Sequence, residues 1–160
     1  MRRLLAISIL GLSVIALTGL TGYSQYGQPK TGKNPVMGAW KVTEYTNPNQ
    51  PTITSPQPGL YIFSEKYYSA VRIQGTKPLP AYPSNDKATQ ADKAQVFDSL
   101  YLNTGAYSVS GNTLTTMPQL TKSAFAMAPG RKTEYTFTIS GNTLTLAQKD
   151  GPVVKFVRAE

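Results

Sequence analysis

A hexapeptide that occurs twice constrains the fold more than any other feature of this chain. Ser-Gly-Asn-Thr-Leu-Thr spans residues 110–115 and returns at residues 140–145. In both copies Gly-Asn lies between two alternating runs, the arrangement favoured by a two-residue hairpin turn with positive φ. Pairing outward from each turn puts the apolar partners on one face and Ser or Thr on the other. The predicted pairs are Val109 with Leu114, Tyr107 with Thr116, Ile139 with Leu144, and Phe137 with Leu146.

Further strands are predicted where β-forming residues alternate with polar ones between turn residues. A helix is predicted from about residue 84 to 102, where Thr89 and Asp92 resemble a capping pair. Two proline-rich segments, 47–58 and 76–83, cannot be central strands. The predicted strands, besides the two hairpins, are 38–45, 60–63, 67–73 and 153–158.

About eight short antiparallel strands leave two sheet edges that must be protected. Closing the sheet on itself removes both edges, and an eight-stranded barrel has room for side chains or one small ligand. A two-sheet sandwich with Greek-key connections is the alternative. Because most of the turns join sequential strands, we predict an all-β, antiparallel up-and-down β-barrel, with one helix after the third strand.

Four motifs follow one another along the chain: Gly38-Ala39-Trp40, Gly59–Phe63, the segment from Phe97–Tyr101 into Gly105–Val109, and both Gly-Asn hairpins. This ordered series resembles the secreted, lipocalin-like domains of bacteria. The resemblance covers roughly residues 37–159 and implies a small barrel with a helix after the third strand and, in some members, a pocket for an apolar ligand. In lipocalins the tryptophan of G-x-W packs near an arginine of the last strand, so the resemblance also implies a structural pair of Trp40 and Arg158.

The N-terminal segment has the pattern of an export signal. Arg2 and Arg3 precede an apolar run from Leu4 to Leu20, and small residues follow it. We therefore expect residues 1–24 to be a signal peptide, residues 25–36 a flexible leader and residues 37–160 the barrel domain. A transmembrane anchor is the alternative, but the run is short for it. These assignments predict a secreted or periplasmic protein without a stable membrane anchor.

Composition narrows the functional classes. The chain contains no cysteine and no histidine, which excludes disulfides, thiolate catalysis and histidine-based proton transfer. We expect no metal, no cofactor and no enzymatic activity. The formal charge is +8, and removal of residues 1–24 leaves 14 basic and 8 acidic residues. Apart from the adjacent pair Arg131-Lys132, the basic residues lie singly rather than in a cluster, so a nucleic-acid partner is not expected. The protein is expected to be a monomer.

Candidate ligand-binding residues are one carboxylate and several aromatic side chains on predicted strands, and one methionine that flanks a loop and could line the barrel mouth or pack within the loop. The same aromatic residues could instead form ordinary core or outer surface. Glu44 shares strand parity with Trp40 and Val42, which predicts an inward side chain; since a buried, unpaired carboxylate is costly, a solvated barrel rim is favoured over a ligand role. The candidates are Glu44, Tyr61, Phe63, Tyr68, Tyr107, Met117, Tyr135 and Phe137.

Three classes of function remain open. The first is a binding protein whose barrel holds a small apolar molecule, and an internal cavity would favour it. The second is a secreted interaction or inhibitor domain that uses its loops, which a filled barrel with an exposed apolar patch would favour. The third is a histidine-free isomerase or lyase, which would need two titratable groups converging in a pocket.

Overall fold

The structure is a computed structural model that describes residues 34–160. Eight antiparallel strands follow one another in chain order and close into a barrel, because β1 pairs with β8. This confirms the predicted up-and-down barrel and excludes the sandwich. The predicted signal peptide, residues 1–24, lies outside the described residues. The strands are β1 (Gly38–Thr46), β2 (Gly59–Phe63), β3 (Tyr67–Ile73), β4 (Leu100–Ser110), β5 (Thr113–Thr121), β6 (Thr133–Ser140), β7 (Thr143–Gln148) and β8 (Val153–Arg158).

Both Gly-Asn hairpins form in the predicted register. Val109 pairs with Leu114 across the first turn, and Ile139 pairs with Leu144 across the second. Gly111 and Gly141 have φ angles of 57° and 56°. A glycine of positive φ at the first turn position matches the type II′ hairpin, whose twist fits the flanking strands. The repeated hexapeptide therefore encodes two equivalent hairpins.

Valine at either turn glycine should lower the free energy of unfolding by about 1–2 kcal/mol, because a residue with a Cβ is strained at this φ. No other atom lies within 4 Å of a Cβ built at Gly111 or Gly141, so the cost comes from the backbone alone. Urea denaturation of Gly111→Val and Gly141→Val measures it. The exposed positions Ser108 and Thr138, on the same hairpins, are controls and should accept valine within about 0.5 kcal/mol. Equal tolerance at turns and controls would contradict the turn assignment.

The two ends of the barrel differ in their connections. The short turns 64–66, 111–112 and 141–142 lie at one end, called the closed end here, and β1 begins there. The other connections lie at the opposite end, called the loop end; they are segments 47–58, 74–99, 122–132 and 149–152.

The closed end is filled by Trp40 and Arg158, the pair that the resemblance implied.

 Trp40 is fully buried, and the Arg158 guanidinium lies 4.1 Å from the centre of its ring. Arg158 Nη1 also donates a hydrogen bond of 3.0 Å to the Met37 carbonyl. A Cβ at Gly38 would stand 2.6 Å from Arg158 Nη1, and its φ is 124°. The contact predicted between Trp40 and Arg158 is therefore confirmed, and Gly38 is required to leave room for it.

The barrel begins earlier in the chain than predicted. Val36 is fully buried in the core, and its carbonyl accepts a 2.8 Å hydrogen bond from Trp40 Nε1. Asn34 donates a side-chain hydrogen bond to the Tyr107 hydroxyl. The expectation of a flexible leader over residues 25–36 is wrong for residues 34–36, and residues 25–33 lie outside the described residues. Val36 was not predicted as a core residue because the segment around it is rich in proline and glycine, but its side chain completes the closed end.

The inward orientation predicted for Glu44 is wrong. The pairing of β1 with β8 shifts by one residue between Val42 and Glu44, as in a β-bulge. The shift turns Glu44 outward, where its carboxylate lies 2.8 Å from Lys155 Nζ at the surface. It also turns Tyr45 inward, opposite the buried Val154. A one-residue shift exchanges the two faces of a strand, and alternation alone does not reveal it.

The helix α1 (Gln90–Ser99) lies between β3 and β4, as predicted, but is shorter than the predicted span. The predicted capping box of Thr89 and Asp92 is present. The helix therefore begins directly after Thr89, and not near residue 84 as predicted. Residues 100–102 belong to β4 rather than to the helix. No residue of α1 is buried. Within residues 34–160, no helix has the length and apolar character that crossing a bilayer requires.

Candidate ligand cavity

An internal cavity of about 210 Å³ occupies the barrel toward its loop end. Its floor is formed by core side chains such as Leu114, and its walls are mainly aromatic. The strands supply inward residues from alternate positions, which is why one face of β3 contributes Tyr68, Ala70 and Arg72. The remaining lining residues are Tyr45, Tyr61, Phe63, Tyr101, Asn103, Thr116, Thr133, Tyr135, Leu146, Gln148, Pro152 and Val154.

Four of the eight candidate residues line this cavity, namely Tyr61, Phe63, Tyr68 and Tyr135. Tyr61 packs its ring against Phe156 at 4.8 Å between centroids, so it joins the cavity wall to the core.

The other four candidates do not line the cavity. Tyr107 is buried near the closed end, where its hydroxyl donates to the Ser64 carbonyl. Phe137 is buried within the core. Met117 faces outward, since Leu114 and Thr116 are the inward residues of β5. Glu44, as described above, pairs with a lysine on the surface.

Arg72 is the charged residue of the cavity wall. Its side chain is 9% exposed, and its Nε is buried without a hydrogen-bond partner. The guanidinium carbon lies 4.0 Å from the centre of the Tyr45 ring and 5.0 Å from that of Tyr101. The cation therefore lies over two aromatic rings, which stabilise it by cation–π attraction.

Glycine at position 59 leaves room for this arginine. Gly59 lies directly opposite Arg72 in the pairing of β2 with β3. A Cβ there would stand 2.7 Å from the Arg72 Cβ and 2.8 Å from a methyl group of Val42. The glycine of the Gly59–Phe63 motif thus has a steric reason in this structure.

Four tyrosine hydroxyls of the cavity remain protonated at neutral pH because their pKa values are raised. Burial raises the pKa of Tyr61, Tyr68 and Tyr135 well above the usual value, and it raises that of Tyr101. For Tyr61 the nearby charge of Arg72 opposes this rise. Neutral phenols are hydrogen-bond donors and acceptors, not bases, so the formal charge of the wall is that of Arg72.

A short chain of hydrogen bonds fixes the polar part of the wall. The Tyr68 hydroxyl donates to Asn103 Oδ1, and Asn103 Nδ2 lies 3.2 Å from the Tyr101 hydroxyl. The Tyr45 hydroxyl donates to Asn47 Oδ1 at 2.9 Å. These contacts hold the rings beside Arg72 in place.

Tyr101, Asn103 and Arg72 line the cavity but were not among the sequence candidates. Tyr101 was missed because the helix was predicted to continue to residue 102, which also placed Asn103 at the helix end rather than on a strand. Arg72 was not selected, although the alternation of Tyr68, Ala70 and Arg72 along β3 already predicts that all three face inward.

A second concavity lies on the outside of the barrel. It is a groove of about 600 Å³ between α1 and the segment that follows β3, and most of its lining residues are exposed. Because this groove is open to solvent, it lacks the enclosed walls that the barrel cavity offers a small ligand. Among residues 34–160, no three acidic, histidine or cysteine side chains converge as metal ligands would.

The fold and the cavity together define an eight-stranded, closed up-and-down barrel with an interior site, the architecture that the resemblance to lipocalin-like domains implies. Two solved structures are similar to the chain, each with a TM-score of 0.47. One is a lipocalin-like protein from Bacteroides uniformis ATCC 8492, 15% identical over 76% of this chain and 96% of that one. The other is an uncharacterized protein from Bacteroides eggerthii DSM 20697, 11% identical over 76% of this chain and 98% of that one. No family model and no curated protein matches the chain.

Proposed function

We propose that the protein is an exported binding protein that holds a small, mainly apolar molecule inside its barrel. The observation that carries this proposal is the cavity of about 210 Å³, whose walls are largely aromatic. Tyrosine and phenylalanine rings offer large apolar contact areas, and the hydroxyl groups add a few directional contacts. A concave, mostly apolar site with a few polar groups is typical of small-molecule binding.

The size of the cavity limits the ligand. An apolar cavity of about 150 Å³ is large enough to hold benzene. The cavity of about 210 Å³ in this barrel therefore suits a molecule of one or two rings, or a short acyl chain. Its place at the loop end gives entry from the side opposite Trp40.

Export is part of the proposal and is supported by the N-terminal sequence. Arg2, Arg3 and the apolar run Leu4 to Leu20 match a signal peptide that is removed after about residue 24. The mature protein would then meet its ligand outside the cytoplasm, as a monomer.

Mass spectrometry of the protein from the extracytoplasmic fraction of its own host tests both parts. Under native conditions we expect a bound small molecule, and under denaturing conditions a chain that begins near Gln25. The variant Ala70→Leu should lose the small molecule, because Ala70 lines the cavity and the larger side chain fills it. Val71→Leu, one residue further on the outer face, is the matched control and should keep it. A ligand-free wild-type protein that also fails to bind small apolar probes would contradict the proposal.

A secreted interaction domain is the second candidate. The outer face of β2 and β3 exposes apolar side chains, including Leu60 at 40%, Ile62 at 45% and Val71 at 39%. Exposed apolar surface of this kind is found at protein contacts. This function ranks second because the barrel encloses a cavity rather than being filled. A co-purified polypeptide that is lost on Ile62→Lys, with no bound small molecule, would favour it.

A further inference from the structure

We infer that Arg72 binds the carboxylate of a small apolar acid inside the barrel. This inference rests on the proposed function and names the chemical class of the ligand. Its basis is a cation that the fold buries in the cavity wall and leaves without a counter-ion.

The chain does not supply a counter-ion for Arg72. All eight acidic residues of the sequence lie within residues 34–160. Side-chain ion pairs in this part of the chain join Glu44 to Lys155 and Glu134 to Lys132, and Arg72 takes part in neither. The Tyr61 hydroxyl interacts with Arg72 but carries no charge, and the Arg72 Nε is buried without a hydrogen-bond partner. Burying an unpaired charge is costly, so an anion from outside the chain would gain much of its binding energy here.

Such an anion would bind the edge of the guanidinium. The Arg72 guanidinium carbon lies 4.0 Å from the centre of the Tyr45 ring and 5.0 Å from that of Tyr101, so both rings lie beside the group. The N–H groups of a guanidinium lie in its plane, and a carboxylate accepts two of them side by side. Since Arg72 lines the cavity, a carboxylate placed against this edge leaves the rest of the molecule among the aromatic walls.

The surroundings of the guanidinium are neutral but polar. The hydroxyls of Tyr61, Tyr68 and Tyr101 stay protonated because burial raises the pKa of each. Protonated phenols do not repel an anion, and they are donors for its second oxygen. The remaining wall, which includes Phe63 and Leu146, suits an apolar body.

Isothermal titration calorimetry at pH 7 tests the inference with matched probes. The probes are 2-naphthoate, its uncharged analogue 2-naphthamide, and octanoate, which carries the same ionised group on a flexible chain. The wild-type protein should bind 2-naphthoate at least about tenfold more tightly than 2-naphthamide, since hydrogen bonds to charged groups are the stronger ones. Comparing the affinities for 2-naphthoate and octanoate shows whether the site prefers aromatic acids or acyl-chain acids.

Three variants test whether Arg72 is responsible for this preference. Arg72→Gln should reduce the preference for 2-naphthoate over 2-naphthamide to about one. Arg131→Gln, which removes an exposed arginine from the segment after β5, should leave the preference unchanged. Arg72→Lys keeps the charge but not the planar pair of donors, so it should retain only part of the preference. A purely structural role for Arg72 would instead weaken both naphthyl probes equally.

The outcomes separate this inference from the proposed function. Equal binding of 2-naphthoate and 2-naphthamide by the wild type, or an unchanged preference in Arg72→Gln, overturns the role of Arg72 and leaves small-molecule binding standing. Binding of 2-naphthamide without binding of 2-naphthoate also overturns the role of Arg72 and leaves small-molecule binding standing. Absence of binding by all three probes, together with a ligand-free native protein, overturns both.

Discussion

Replacing Trp40 by alanine is expected to lower the free energy of unfolding by about 3–5 kcal/mol, the cost of truncating a large aromatic side chain in a core. Trp40 is fully buried at the closed end. The substitution removes its packing, the hydrogen bond from Nε1 to the Val36 carbonyl, and the stack with Arg158. Chemical denaturation measures the loss, and Leu60→Ala on the outer face is a control that should cost less than about 1 kcal/mol.

A double-mutant cycle with Arg158→Ala isolates the contact between the first strand and the last. Arg158→Ala alone should cost less than Trp40→Ala. The double variant should fall short of the sum by roughly 0.5–2 kcal/mol, the range for a cation over an aromatic face. Because Trp40 is the one tryptophan of the chain, its emission reports on this site directly. Strict additivity with a solvent-exposed emission spectrum would mean that the strands do not meet there, and that the barrel is open.

Alanine at Gly105 is expected to lower the free energy of unfolding by about 3 kcal/mol or more, at the upper end of what overpacking costs. A Cβ at this position would stand 2.2 Å from the Met117 carbonyl oxygen and 2.8 Å from the Gln119 backbone nitrogen. Backbone atoms of a paired strand cannot move aside as a side chain does. The site coincides with the register shift between Thr104 and Gly105, where Pro118 is accommodated in β5.

Gly151→Ala is the matched control for this substitution. A Cβ at Gly151 would also come within 3 Å of another residue, but the nearest atoms belong to the Gln148 side chain and not to the backbone of a paired strand. We expect a loss within about 1 kcal/mol, measured by the same urea titrations. Similar losses at both glycines would show that the backbone approach at Gly105 is not the cause.

The sequence predicted the parts of the fold that depend on short-range pattern. The hairpins at residues 110–115 and 140–145 could be predicted in full register, because a two-residue turn fixes which residues pair. Closure of the barrel followed from the number of strands and from the resemblance. The end of the helix could not be placed, because Leu100 and Leu102 suit a helix as well as a strand and residues 100–102 follow a helical pattern without a break.

The candidate site was predicted less completely than the fold. Strand alternation was enough to predict four residues that line the cavity, Tyr61, Phe63, Tyr68 and Tyr135. The same reasoning would have predicted Arg72. Glu44 and Tyr45 exchanged faces because of one bulge, which depends on long-range pairing with β8. Tyr101 and Asn103 could be predicted as lining residues only if the start of β4 at Leu100 were known. Residues whose position depends on where a strand shifts or begins are thus the ones that local pattern misplaces.

The helix α1 is attached to the barrel without contributing to its core. None of its residues is buried, and it is stabilised locally by the capping box at Thr89 and by hydrogen bonds from Lys122 Nζ to the carbonyls of Phe97 and Asp98. Opening of this segment would expose little apolar surface, whereas the strands can separate only by exposing the whole core. Proteins commonly open in such separate cooperative units. The chain therefore joins a barrel of high local stability to a peripheral segment of low local stability, and the amides of residues 90–99 are the ones that should exchange with solvent while the barrel stays folded.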